Sequence, residues 1–199
     1  MDVGGIQAQR QFHIHQKVTM MVNRYEVFAD TGSGEPGQTV AFVEQKRMKF
    51  KEEVTLYTDD SRKSVFAAFK ARKIVDLASA YDVTGDGQSI GVFGKKFGKS
   101  LLRSTWKVDQ PGLPALTVQE RNFALALFRR VWEVLPWIGD LPFIWKYHFD
   151  FVDPDGRNVG SFDKKTRFRD HYVLRIEDDR YDRRLLLAHA VALDALQSR

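Results

Sequence analysis

Apolar residues along this chain come in short runs, and the runs themselves recur. Three stretches share one plan: an apolar strand, a turn carrying two basic residues, and a second strand of alternating polarity. The first runs from Val40-Ala-Phe-Val through Lys46 and Arg47 to Val54-Thr-Leu56-Tyr57. The second runs from Ile90-Gly-Val-Phe through Lys95 and Lys96 to Trp106-Lys-Val108. The third runs from Val159-Gly-Ser-Phe162 through Lys164 and Lys165 to Tyr172-Val-Leu174-Arg-Ile176. Neighbouring side chains of a strand point to opposite faces, so Tyr172, Leu174 and Ile176 share one face while Val173 and Arg175 share the other. A degenerate repeat of such hairpins predicts a largely antiparallel, mainly β body.

Turn chemistry agrees with that reading. Thr84-Gly85-Asp86-Gly87 and Asp153-Pro154-Asp155-Gly156 stand just before two of the repeats, and each Asp-Gly pair suits the tight turn of a hairpin. Further strands are expected at residues 17–29, 64–70, 73–80 and 145–152, with residues 32–37 as a loop. Two segments depart from period two. Within residues 117–135, Phe123, Leu127, Val131 and Leu135 are spaced by four among Glu120, Arg121, Arg129 and Arg130, which predicts an amphipathic helix ended by Pro136.

The other departure covers residues 182–197. Asp182 is placed to cap a helix, and from Leu185 to Leu196 the pattern is apolar on nearly every face, broken only by His189 and Asp194. A helix of that kind has to be enclosed. Roughly 15 residues at about 1.5 Å each reach only about 22 Å, short of the ~30 Å hydrocarbon layer of a bilayer. The enclosure expected is therefore the protein's own β body, closed as a barrel around its last helix.

Composition sharpens the picture. The 199 residues, 43% of them hydrophobic, suffice for one sizeable core. We expect one barrel domain over residues 18–199, preceded by an N-terminal extension over residues 1–17 that lacks the apolar run of a signal peptide. There is no cysteine, which removes disulfides, thiolate metal sites and a cysteine nucleophile, and points to a reducing, cytoplasmic setting. Lys and Arg number 31 against 26 Asp and Glu, a formal charge of +5, which admits a polyanionic partner.

From Gly160-Ser-Phe-Asp-Lys-Lys through Asp170-His-Tyr-Val-Leu-Arg-Ile to Asp182-Arg-Arg-Leu-Leu-Leu-Ala and Val191-Ala-Leu-Asp194, the chain resembles LURP-one-related proteins and phospholipid scramblases. The resemblance implies a barrel of about twelve antiparallel strands around a central, hydrophobic C-terminal helix, the architecture of tubby C-terminal domains. It also implies affinity for anionic lipid, since tubby domains bind phosphoinositide headgroups. The acidic calcium segment of scramblases is not matched: Asp170, Asp178, Asp179 and Asp182 are interleaved with Arg169, Arg175, Arg180 and Arg183. Neither calcium binding nor lipid scrambling is expected, and the LURP-one-related branch fits best.

The candidate chemistry is that of binding. Lys46, Arg47, Lys95, Lys96, Lys164, Lys165 and Arg167 form an anion-binding set if the repeated turns gather at one end of the barrel. Trp132, Trp137, Phe143 and Trp145, in a stretch interrupted by Pro136, Gly139 and Pro142, are candidates for contact with a membrane interface or a partner protein. No Ser-His-Asp arrangement or Gly-x-Ser-x-Gly context is present, so no catalytic residue, cofactor or metal site is assigned. His13 and His15 lack the further ligands a metal needs. His189 is expected to be a hydrogen-bonded core histidine, and Asp194 to pair with a strand arginine or a backbone amide. Nucleic acid is disfavoured for want of an aromatic platform or recognition helix. The reading is thus a non-catalytic module that binds anionic phospholipid at the inner face of a membrane, with a soluble scaffold for a protein or small molecule as the alternative.

Overall fold

The computed structural model describes residues 2–18, 22–46, 53–72, 80–96, 105–121, 148–165 and 171–197. A short helix α1 (Val3–Gln7) opens the chain. Twelve strands follow: β1 (Gln11–Val18), β2 (Val22–Asp30), β3 (Pro36–Lys46), β4 (Glu53–Tyr57), β5 (Val65–Ala71), β6 (Ala80–Gly85), β7 (Gln88–Lys95), β8 (Thr105–Asp109), β9 (Leu116–Glu120), β10 (His148–Val152), β11 (Asn158–Lys164) and β12 (His171–Ile176). The chain then forms the C-terminal helix α2 (Arg183–Gln197). Each strand pairs antiparallel with the next in sequence, and β1 closes the ring on β12 through Phe12 opposite Leu174 and Ile14 opposite Tyr172. Closure leaves no open strand edge.

Period two sets the wall. Phe12 and Ile14, Tyr25 and Val27, Phe149 and Phe151, and Leu174 and Ile176 alternate into the core at 0–1% exposure. Two turns act as their sequence predicts. Asp86 and Gly87, in the left-handed region at φ 53° and 75°, form the two-residue turn between β6 and β7, which matches the right-handed twist of its strands. In the turn between β10 and β11 the Asp153 carboxylate accepts the backbone N–H groups of Asp155 and Arg157, and Gly156 takes φ 83°.

α2 is buried from Arg183 to Ala195. Leu185, Leu187, Ala188, Ala190, Val191 and Leu193 have no exposed surface. The Asp182 carboxylate caps it by accepting the N–H of Arg184 at 2.8 Å. Along the helix, Leu185 lies so close to Gly91 of β7 that a Cβ there would stand 2.6 Å from its Cδ2 atom. His189 meets Phe93 of β7, Trp106 of β8 and Phe151 of β10, and Asp194 meets Tyr25 of β2 and Tyr172 of β12.

Several boundaries differ from the sequence expectation. Residues 11–17, read as extension, form most of β1, and the single strand expected over residues 17–29 is a hairpin of β1 and β2. The reason is that Phe12 and Ile14 supply inward positions, so the core begins earlier than the first repeat. Residues 117–120, read as the start of the amphipathic helix, belong to β9, where Leu116, Val118 and Glu120 point inward and the ladder is held on both sides by β8 and β10. Four residues are too few for period four to be told from period two. The remainder of that predicted helix, the strand expected at residues 73–79 and residues 145–147 lie outside the described residues.

Candidate functional site

In a closed barrel of strictly antiparallel neighbours, strands of the same parity run the same way. β3, β7 and β11 therefore all end at one rim. Lys46 ends β3, Lys95 ends β7 with Lys96 after it, and Lys164 ends β11 with Lys165 after it. The basic residues of the three repeats thus share a rim, with the pairs four strands apart around it. Arg47, Arg167, Trp132, Trp137, Phe143 and Trp145 lie outside the described residues.

Alternation decides how each pair presents itself. Lys95 follows Phe93 on the inward face and Lys164 follows Phe162, so both stems turn toward the rim of the core. Each ammonium lies over an aromatic ring from the neighbouring strand: Lys95 Nζ is 6.0 Å from the centre of Trp106 and Lys164 Nζ is 5.5 Å from that of Tyr172. The second lysine of each pair falls just past the strand. Lys96 Nζ donates to Thr117 Oγ1 at 3.3 Å, and Lys165 is exposed. Arg72 and Arg121, at the ends of the neighbouring odd strands, are instead engaged by Asp82 and Asp150.

The opposite rim has the other sign. Residues 2–10, 30–35, 58–64, 86–87, 109–115, 153–157 and 177–184 hold the turns and the helix start there, with 13 Asp and Glu against 7 Lys and Arg. The rest of the chain carries 24 Lys and Arg against 13 Asp and Glu. The acidic rim is thus net negative in a chain whose formal charge is +5. At this acidic rim a cleft of about 650 Å³ is lined by Arg10, Asp153, Asp155, Arg157, Asp178 and Asp179, among others. Its charges are largely matched: Arg180 holds the Asp178 carboxyl down to about 2, and Arg157 bridges Asp153 and Asp178.

Three histidines that the sequence leaves apart come together on β1 and β12. His13 is buried at 1% exposure, with Nε2 at 2.8 Å from Asp30 Oδ1 and Nδ1 at 3.1 Å from His171 Nε2. Burial and the neighbouring His15, His13 and Lys165 lower His171 to about 4, and burial also lowers His15, whose Nε2 atom is enclosed without a hydrogen-bond partner. Register made this cluster: His15 stands opposite His171, which only the pairing of first and last strands can reveal. Among the described residues no three His, Asp or Glu side chains are arranged to hold a metal ion.

One expectation about α2 needs correction. His189 is not a hydrogen-bonded core histidine: both ring nitrogens are buried without a partner among aromatic rings, and burial drives it down to about 3, so it stands neutral. The hydroxyls of Tyr25, at 3.0 Å, and of Tyr172 donate to the two carboxylate oxygens of Asp194. Both tyrosines occupy inward positions of strands distant in sequence, so no local pattern identifies them.

The sequence model of the LURP-one-related family matches residues 39–194. No curated protein matches the chain.

Proposed function

The chain belongs to the LURP-one-related family, and from that premise we propose that it is a non-catalytic module binding anionic phospholipid headgroups peripherally through its basic rim. The observation that carries this reading is the common rim of Lys46, Lys95, Lys96, Lys164 and Lys165, opposite a rim of net negative charge. Each basic residue close to an anionic membrane contributes about 1 kcal/mol, so five give a reversible, salt-sensitive attachment. In this reading Trp132, Trp137, Phe143 and Trp145 supply a second, apolar anchor, and the protein works at the cytoplasmic face of a membrane.

The same reading treats α2 as the filling of the barrel. It enters at the acidic rim, where Arg184 meets Asp86, and ends near the basic rim, where Asp194 meets Tyr25 and Tyr172. The lumen is then a packed core and not a passage for lipid. No helix among the described residues is long and apolar enough to cross a membrane.

Co-sedimentation with neutral and anionic vesicles, at low salt and at about 0.15 M salt, tests the proposal. Pelleting confined to anionic vesicles, weakened by salt and abolished by Lys164→Glu with Lys165→Glu in a protein that still melts cooperatively, is the expected result. Equal pelleting with neutral vesicles, or none at either salt, rejects it in favour of a scaffold with a protein or small-molecule partner.

A further inference from the structure

The spacing of the basic strand ends narrows the partner. β3, β7 and β11 are four strands apart in each direction round the ring, because the path from β11 to β3 through β12, β1 and β2 is also four steps. At about 4.8 Å between strands, neighbouring basic ends are roughly 19 Å apart along the wall. That exceeds the ~8 Å screening length at physiological salt and the width of one headgroup, so no single headgroup reaches two of them.

The distribution of sign adds a direction. Strands of 5 to 11 residues, tilted as in closed barrels, leave the rims on the order of 15–20 Å apart, about two screening lengths. Presented basic rim first, the molecule keeps its acidic turns beyond the reach of a negative surface; presented the other way, it is repelled.

We propose that the partner is the plane of an anionic bilayer and not an individual headgroup: the barrel stands on end, its three basic strand ends engage separate lipids around the rim, and the acidic rim faces away. This rests on the lipid-binding reading above and says how that rim is used. Affinity is then divided among the three strand ends. With no dominant pocket, a soluble headgroup cannot compete.

The test uses the full chain with phosphatidylcholine vesicles containing rising fractions of phosphatidylserine, at about 0.15 M salt, with soluble glycerophosphoserine as competitor. The wild-type protein should bind steeply in the phosphatidylserine fraction and resist displacement. Lys95→Gln with Lys96→Gln, and Lys164→Gln with Lys165→Gln, should each weaken binding about 30-fold, Lys46→Gln about fivefold, with the losses multiplying when combined. Asp155→Asn with Asp179→Asn, at the exposed acidic rim, should leave binding unchanged. The proposal is overturned, with lipid binding intact, if one pair carries the whole loss, if binding grows linearly with phosphatidylserine, or if glycerophosphoserine displaces the protein. Absence of pelleting by the wild-type protein with every vesicle removes the lipid reading itself, and the steepness of wild-type binding decides the question without any variant.

Discussion

The two rims of this barrel differ in what their charges are for. At the acidic rim the carboxylates serve the backbone: Asp2 accepts from the N–H of Gly5, Asp30 from Gly32, Asp59 from Ser61, Asp153 from Asp155 and Arg157, Asp178 from Arg180, and Asp182 from Arg184. Each caps a turn or a helix start where N–H groups have no ladder partner. The negative sign of that rim is a consequence of turn chemistry. At the basic rim Lys95 ends β7 and Lys164 ends β11, and each lies over an aromatic ring of the next strand. The binding proposal falls on the basic rim because three strand ends bring lysines to it.

The comparison breaks if the acidic rim proves dispensable to the fold. Its deepest member is Arg183, 1% exposed, whose guanidinium donates to the carbonyls of Gln9, Asp178 and Tyr181 and so ties the N-terminal segment to the start of α2. Arg183→Ala should cost about 3 kcal/mol in urea unfolding, because charge-assisted bonds are lost and carbonyls are stranded, with vesicle binding of the folded fraction unaltered. A loss under about 1 kcal/mol would contradict the structural role. Asp182→Ala removes the helix cap and should cost about 1–2 kcal/mol by the same measurement.

Gly87→Ala, which puts a Cβ at φ 75° with open space around it, should cost about 1 kcal/mol from backbone strain alone. On the other rim, Lys164→Gln with Lys165→Gln should change stability by less than about 1 kcal/mol, the scale of one cation–π contact, while weakening vesicle binding. If that double variant unfolds instead, the basic rim is structural too and the contrast is lost.

Titration separates the rims last and least. Near the basic rim folding favours neutral His171, so its contribution is complete above 6.5 and is lost as pH falls toward about 4. At the acidic rim Asp178 is favoured ionised, so its contribution is complete above 3.8 and is lost as pH falls toward about 2. Melting temperatures followed across pH should show two windows, with His171→Gln reducing the decline between 6.5 and 4 and leaving the lower window in place. A variant that declines like the wild type through the upper window would exclude His171 as its source.

Much of the fold was legible in the sequence because it is local. Alternation at Tyr172, Leu174 and Ile176 is the pleat written in residues, the Asp86-Gly87 pair names its own turn, and an Asp182 cap before an all-round apolar stretch announces a helix that must be covered. The expected helix over residues 117–135 shows the limit of the method. Its first residues joined β9 because ladders on both sides outweigh a weak period, and tertiary pairing is invisible to a window of neighbours.

The candidate site was legible only in part, and for a related reason. By itself the sequence determined which residues are basic, that they recur with the repeat, and that a closed β body with an apolar last helix would hold them. Only the tertiary structure decided that Lys46, Lys95 and Lys164 share a rim, because that depends on the parity of the strands between them and on closure of β1 against β12. Closure likewise brought His15 against His171 and placed Tyr25 and Tyr172 around Asp194. Local chemistry fixes which way a side chain faces; which side chains meet, and at which end, is set by the number and order of strands, a property of the whole chain.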